Sequence, residues 1–263
     1  MFGLKKERKV KVNETEIILS VKRFNKHFNS LHVIDNVDFD LKKGEILCIV
    51  GPSGCGKTTI LRAIAGLEKV SSGKICLEGE EIDGPGPDRG MVFQDPALFP
   101  WRSALKNVEF GLEIKGLKRE EREKIAKETM ELVGLSDFSH SYPYQLSGGM
   151  QQRVGLARVL ANDPEMLLMD EPFGALDAQT RNTMQDELLR IWHETKKTIM
   201  FVTHSVDEAI YLGDRIFVLS GRPTTVRRKI DVKIERPRDR TGERFNDLRG
   251  GILELLRLEA QKS

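Results

Sequence analysis

The chain has 263 residues, with 42 Lys and Arg against 40 Asp and Glu, and a formal net charge of +2 at pH 7. That length allows one large domain or two small ones with a sizeable core, and the near balance of charge provides no global field for nucleic acid or an anionic membrane. No run approaches the roughly 18 apolar residues of a membrane span, residues 1–11 lack the apolar core of a signal peptide, and Cys48, Cys55 and Cys76 have no metal-ligand spacing and fit a reduced compartment. The basic run of Lys5, Lys6, Arg8, Lys9 and Lys11 reads as a solvated tail.

Residues 17–24 and 33–41 alternate apolar with polar side chains between turn signals and read as short strands. Between them Phe28 occupies a polar turn, 26–30, where an aromatic ring either packs or stacks on a base; Phe24 falls inside the strand pattern. The apolar run 46–50 then passes into Gly51, Pro52, Ser53, Gly54, Cys55, Gly56, Lys57, Thr58 and Thr59, which opens an amphipathic helical pattern. Glycines let such a turn curl its N–H groups inward at phosphate oxygens, and the following helix adds the partial positive charge of its N-terminus. In that setting Lys57 neutralises the β and γ phosphates of a polyphosphate, and the Thr58 hydroxyl sits on a magnesium ion bridging them. A glycine-rich turn with nothing bound is the bland alternative, and the strand before and helix after argue against it.

Ile60, Leu61, Ile64 and Ala65 line one face of the helix, which Gly66 can end. A hairpin follows over 74–77 and 79–82, then a Gly-Pro break at 84–87 and a strand over 90–93 that gives out at Gln94. Residues 96–101 are apolar but carry Pro96 and Pro100, which predicts a loop, and its aromatics suit a docking surface. From about 104 to 159 the chain reads as an inserted helical block. It closes with Leu146, Ser147, Gly148, Gly149, Met150 and Gln151, a polar glycine turn that runs straight into a helix, as the first phosphate loop does.

The strand 166–169 is apolar on both faces and carries Asp170 and Glu171 at its tip. Such strands belong in the middle of a parallel sheet, where ligands bind at the carboxyl ends. A second strand, 198–202, ends beside His204; a lone histidine is usually structural, but its place at a strand tip raises it. Strands over 216–219 and 225–234 close the pattern, a polar linker spans 236–240, and a helical pattern over 245–258 is weakened by Gly250 and Gly251.

Together these residues resemble the ATP-binding subunits of ABC transporters over roughly residues 15–235. Gly51 to Thr59 match the Walker A loop, Gln94 the Q-loop, Leu146 to Gln151 the family signature, Asp170 and Glu171 Walker B, Ala175, Leu176 and Asp177 the D-loop and His204 the switch histidine. The phrase from Phe93 to Trp101 is similar to the nitrate, sulfonate and taurine branch of importers.

The resemblance implies an α/β fold: a P-loop NTPase core with a mainly parallel sheet, an N-terminal antiparallel β subdomain and an inserted helical subdomain. It divides the chain into a polar tail (1–14), an ATPase domain (15–235, helical subdomain about 95–162) and a linker with a C-terminal helical appendage (236–263). It implies a homodimer that sandwiches two ATP molecules between the Walker A loop of one copy and the signature of the other. Glu171 and His204 are then the catalytic pair, Asp170, Thr58 and Gln94 hold Mg2+, Phe28 stacks on adenine and Asp177 touches the opposite subunit. Permease subunits in the membrane are the implied partners, with an extracytoplasmic solute-binding protein reached indirectly, no nucleic acid, and a peripheral place on the cytoplasmic face of the inner membrane. The competing reading is an ABC ATPase outside transport, such as a scaffold for iron–sulfur assembly.

Overall fold

In the computed structural model the described residues are 16–261, so the basic run and the tail expected over 1–14 lie outside them. The chain enters through two long antiparallel strands, β1 (Ile17–Phe28) and β2 (Leu31–Lys42), 12 residues each rather than the short strands predicted. They join β4 (Ser72–Leu77) and β5 (Glu80–Glu81) in a sheet of order β2-β1-β4-β5.

The second sheet has the order β10-β9-β3-β8-β7-β6, built from β3 (Ile46–Val50), β6 (Arg89–Val92), β7 (Met166–Asp170), β8 (Thr198–Val202), β9 (Arg215–Leu219) and β10 (Val226–Asp231). Its pairings are parallel except at β10, which closes one edge antiparallel to β9. Every residue of β3 is buried because both faces are covered, and successive side chains go to opposite cores. Ile46, Cys48 and Val50 join the core shared with the helices, whereas Leu47 and Ile49 join the core shared with the antiparallel sheet.

The first of these cores also takes side chains from α2 (Ala104–Ile114), α3 (Arg119–Leu132), α4 (Gly148–Leu160), α5 (Ala178–Thr195) and α6 (Val206–Leu212). On the other face, α1 (Lys57–Ile64) packs through Ile60, Leu61 and Ile64, the stripe read from the sequence. The mixed α/β architecture, with its parallel core sheet, antiparallel sheet and helical block, is the one the motifs implied.

Two local readings need correction. The polar turn placed at 26–30 shrinks to Asn29 and Ser30, because β1 continues through Phe28. Lys26 can stand in a strand because its ammonium is drawn inward to Glu68 Oε2 (3.0 Å) and the Lys69 carbonyl (2.8 Å), leaving the residue 7% exposed. The C-terminal pattern is one unbroken helix, α7 (Glu243–Ala260), that runs through Gly250 and Gly251. A glycine in a helix costs about 1 kcal/mol relative to alanine, but Phe245 and Ile252 are buried in the helix-side core and Leu248, Leu255 and Leu256 pack against it. One anchored apolar face outweighs the two glycines.

The stretch read as a polar linker is pulled inward too. Arg238 donates to the carbonyls of Ile234 (2.9 Å), Ile210 (2.6 Å), Tyr211 (3.1 Å) and Gly213 (2.7 Å), the last three at the carboxyl end of α6. Burial pulls its guanidinium down to about 10, which still leaves it charged at neutral pH.

Candidate active site

Strand order decides what meets what. Running β6-β7-β8-β3, the sheet brings Gln94, then Asp170 and Glu171, then His204, then the phosphate loop to one edge, at the carboxyl ends of parallel strands.

The loop from Gly51 to Thr59 turns left-handed at Gly54 (φ 72°) and Gly56 (φ 118°), where a side chain is strained and glycine is not. Gly56 is the N-cap of α1, so the N–H groups of the first helical turn face the loop. Lys57 is buried, and its Nζ donates to the carbonyls of Gly51 and Pro52, both at 2.9 Å. The ammonium is thus folded over the mouth of the loop, where a phosphate would compete for it. Cys55 is a buried thiol, its pKa raised by burial.

The loop is also clasped from the far end of the chain. Thr224 Oγ1 donates to the Cys55 carbonyl and Arg222 Nε to the Gly54 carbonyl, from 169 and 168 residues away. Sequence reading assigned no role to residues 222–224, and no local pattern could have revealed one, because the partners are brought together by strand β9 and by the bonds of Thr224 to Val33 and Asp35 of β2.

At the tip of β7, Thr58 Oγ1 donates to Asp170 Oδ1 at 3.1 Å, closing the gap between phosphate loop and carboxylate pair. Burial pushes the Asp170 carboxyl up, the neighbouring Glu171 adds to that, and the bond from Thr58 opposes it. A half-buried carboxylate and a hydroxyl, both hard oxygen donors, suit magnesium, which keeps most of its positions for water and phosphate oxygens. Among the described residues no group of three or more His, Cys, Asp or Glu is placed to hold a metal ion.

Glu171 sits at φ 47°, an uncommon angle for a residue with a side chain, with its N–H bound to the Val202 carbonyl at 2.9 Å. Its Oε2 lies 2.9 Å from His204 Nδ1. The histidine is largely open to solvent, with 61% of its side chain exposed against 27% for Glu171. Gln94 is exposed, and a Cβ at Gly174 would come within 3.1 Å of its Nε2, so its side chain lies against the loop that follows Glu171. Gln152 of α4 donates to the Gln94 carbonyl, a link from the helical block into the site.

Other predicted residues stand apart from this cluster. Ser147 caps α4, accepting the Met150 N–H at 3.3 Å, and Gln151 Nε2 ties the turn to the carbonyls of Pro143 (3.0 Å) and Leu146 (3.1 Å). Ser147 and Gly148 are exposed, and Ser147, Gly149 and Met150 line an open cavity of about 220 Å³ against α5. Among the described residues no hydrogen bond joins this turn to the phosphate loop of the same chain. Asp177 is exposed at the start of α5, accepting from the N–H groups of Gln179 and Thr180, both at 3.0 Å, and the Thr180 side chain, with these two N–H groups, holds its carboxyl below the usual range. Phe28 is 40% exposed, with the Lys26 ammonium 4.5 Å from the centre of its ring. Phe24, by contrast, is fully buried.

The family model for the ABC transporter matches residues 34–174, more than half of the chain. The chain belongs to the ABC transporter family. An uncharacterized ABC transporter ATP-binding protein of Methanocaldococcus jannaschii is 54% identical over 261 residues, covering 99% of this chain and 97% of its own. A taurine import ATP-binding protein of Pelagibacter ubique is 53% identical over 206 residues, 77% of each chain. Relatives named as aliphatic sulfonate and nitrate import ATP-binding proteins are 43% and 47% identical. Among solved structures, a dimeric ATP-binding cassette in a post-hydrolysis state with ADP and Pi superposes with a TM-score of 0.71 at 34% identity, over 82% of this chain and 99% of the other. The chain is therefore an ATP-binding subunit of an ABC transporter, an ATPase coupled to transport. No helix among the described residues is long and apolar enough to cross a membrane.

Proposed function

We propose that this ABC ATPase powers the import of nitrate, a sulfonate, taurine or a similar small solute. Two copies close on two ATP molecules, each held between the Walker A loop of one chain and the signature turn of the other. The observation that carries this reading is the separation just described. Within one chain Lys57, Thr58, Asp170, Glu171 and His204 converge at one sheet edge, while the signature turn presents exposed donors elsewhere, with no bond to that edge among the described residues. A phosphate bound by one chain is completed only by a second.

Phosphoryl transfer to water depends mainly on positioning and charge neutralisation. Magnesium supplies, when bound, a screen for the charge on the phosphate oxygens. Lys57 trades its two carbonyl contacts for phosphate oxygens, and Thr58 and Asp170, with Gln94, are the side chains that hold the metal. Glu171 orients or deprotonates the attacking water, and His204, already on Glu171, reaches the γ-phosphate. Phe28 stacks on adenine through the ring face not covered by Lys26, and Asp177 contacts the partner subunit. Gln94 and the loop through Trp101, itself 72% exposed, couple the nucleotide state to membrane-embedded permease subunits. The chain then works at the cytoplasmic face of the membrane, with a solute-binding protein engaged indirectly.

The test is affinity capture of the tagged chain from detergent-solubilised membranes, with mass spectrometry of what co-purifies. A multi-span membrane protein is the expected companion, and its binding protein can then be screened against sulfonates and nitrate. Recovery of soluble partners alone would overturn the importer reading.

A further inference from the structure

The loop that carries His204 is held by a directional chain of buried polar side chains that no motif includes. Glu208, in the first turn of α6, is 5% exposed, and its two carboxylate oxygens have separate partners. Oε2 accepts the Thr203 hydroxyl and Oε1 accepts Gln185 Nε2 at 3.3 Å, with Arg181 Nε at 3.7 Å from Oε1. With its proton given to Glu208, Thr203 Oγ1 has a lone pair free to accept the Ser205 N–H, at 3.0 Å. The Thr203 N–H is bound to the Ile49 carbonyl at 3.1 Å, and the Glu208 N–H to Ser205 Oγ at 3.3 Å. Both neighbours of His204 are therefore pinned, while the His204 side chain is exposed and, among the described residues, bonded to Glu171 alone.

The direction of the chain is fixed from outside. Arg240 donates to Gln185 Oε1 at 2.6 Å, so the Gln185 amide cannot turn over, and its Nε2 must face Glu208. The carboxylate at 208 accepts from both neighbours. A glutamine of the same shape can keep its oxygen on Gln185 only by turning its amide nitrogen to Thr203 Oγ1, which reverses that bond, removes its charge assistance and takes the carboxylate acceptor away from the Thr203 hydroxyl proton.

We propose that Glu208 is a positioning residue for ATP hydrolysis, acting through the Thr203 hydroxyl to hold His204 against Glu171. The proposal rests on the catalytic role given to His204 above. A displacement of the imidazole by about 1 Å costs up to ~10²-fold in rate. Glu208→Gln and Thr203→Val are accordingly expected to lower kcat by about 10- to 100-fold, with the KM for ATP within about 2-fold, and Thr203→Ser, which keeps the hydroxyl, to restore kcat.

The experiment combines steady-state hydrolysis by the full chain with ring-nitrogen NMR of His204 in wild type, Glu208→Gln, Thr203→Val, Thr203→Ser and Glu171→Ala. In the first two variants the His204 ring signals should move toward those of Glu171→Ala, and in Thr203→Ser they should match wild type. Reduced hydrolysis with unchanged ring signals would overturn the proposal, since the network would then support the fold and not the histidine, as would full activity in Thr203→Val. If Glu208→Gln does not fold, the two Thr203 variants carry the same decision. If the ring signals move but His204→Ala hydrolyses ATP normally, Glu208 positions His204 as stated and it is the catalytic role of His204 that fails.

Discussion

His204 Nδ1 and Glu171 Oε2 are joined at 2.9 Å across the tips of β8 and β7, neighbouring parallel strands in the core sheet. The bond gives the Glu171 carboxylate a fixed direction and leaves one oxygen for water. Replacing Glu171 with Gln should preserve ATP binding and slow hydrolysis by roughly 10²- to 10⁴-fold, the usual worth of a general base. ATP would then trap a dimer, visible as a doubling of mass in light scattering. Because the two side chains form one unit, Glu171→Gln with His204→Ala should cost little more than the worse single change. Effects that multiply would show that they act separately.

Lys57→Ala removes a charge-assisted contact worth about 1.5–3 kcal/mol, so ATP affinity measured by calorimetry should fall by roughly 10- to 150-fold. The change also takes a donor from the Gly51 and Pro52 carbonyls, so the melting temperature of the variant is recorded beside its affinity. An unaltered dissociation constant would remove Lys57 from phosphate binding.

Asp170 predicts a pH effect of defined sign. Its folded pKa is raised by burial and by the Glu171 charge. A carboxyl raised in the folded state binds its proton more tightly there than in the unfolded chain, so stability falls as pH rises from the unfolded value toward the folded one. Above that window the nucleotide-free protein bears an unfavourable carboxylate. Asp170→Asn should therefore raise the melting temperature of the nucleotide-free chain at pH 7 and flatten its dependence on pH above 4, while the rise on adding magnesium with nucleotide shrinks. Calorimetric scans across pH with both chains check each part.

Arg238→Ala should be among the costliest changes away from the site. It strips a donor from four carbonyls, at 2.6 to 3.1 Å, in a buried setting. Orphaning such groups costs on the order of 3 kcal/mol, or about 6–12 °C in melting temperature for a chain of this size. A shift under about 2 °C would mean that water replaces the guanidinium there.

What the sequence disclosed depended on whether a signal was local. The apolar runs at 46–50 and 166–169 and the stripe of α1 each mark burial within a few residues and appear as read, while the alternation of 33–41 lies inside a longer strand. Lys57, Thr58, Asp170, Glu171 and His204 come to one edge because residues at the carboxyl ends of parallel strands meet whatever the connections between them. Lys26 misled because its burial depends on Glu68, 42 residues later. Gly250 and Gly251 misled because propensity is weaker than an apolar face already anchored by Phe245 and Ile252. Thr224, Arg238 and Glu208 carry no local mark; their partners are assembled by the sheet.

The clasp on the phosphate loop bears on how such proteins diverge. The run from Gly51 to Thr59 is the most portable pattern in the chain by eye, yet two of its carbonyls are held by Arg222 and Thr224. A graft of those nine residues between relatives would separate the loop from the side chains that shape it, and the graft should succeed only when residues 222–224 travel with it. The heritable part is a pair of segments at opposite ends of the domain. A change of size or polarity at 224 is thus a change to the nucleotide site made from outside it, and variation at the two places should be correlated.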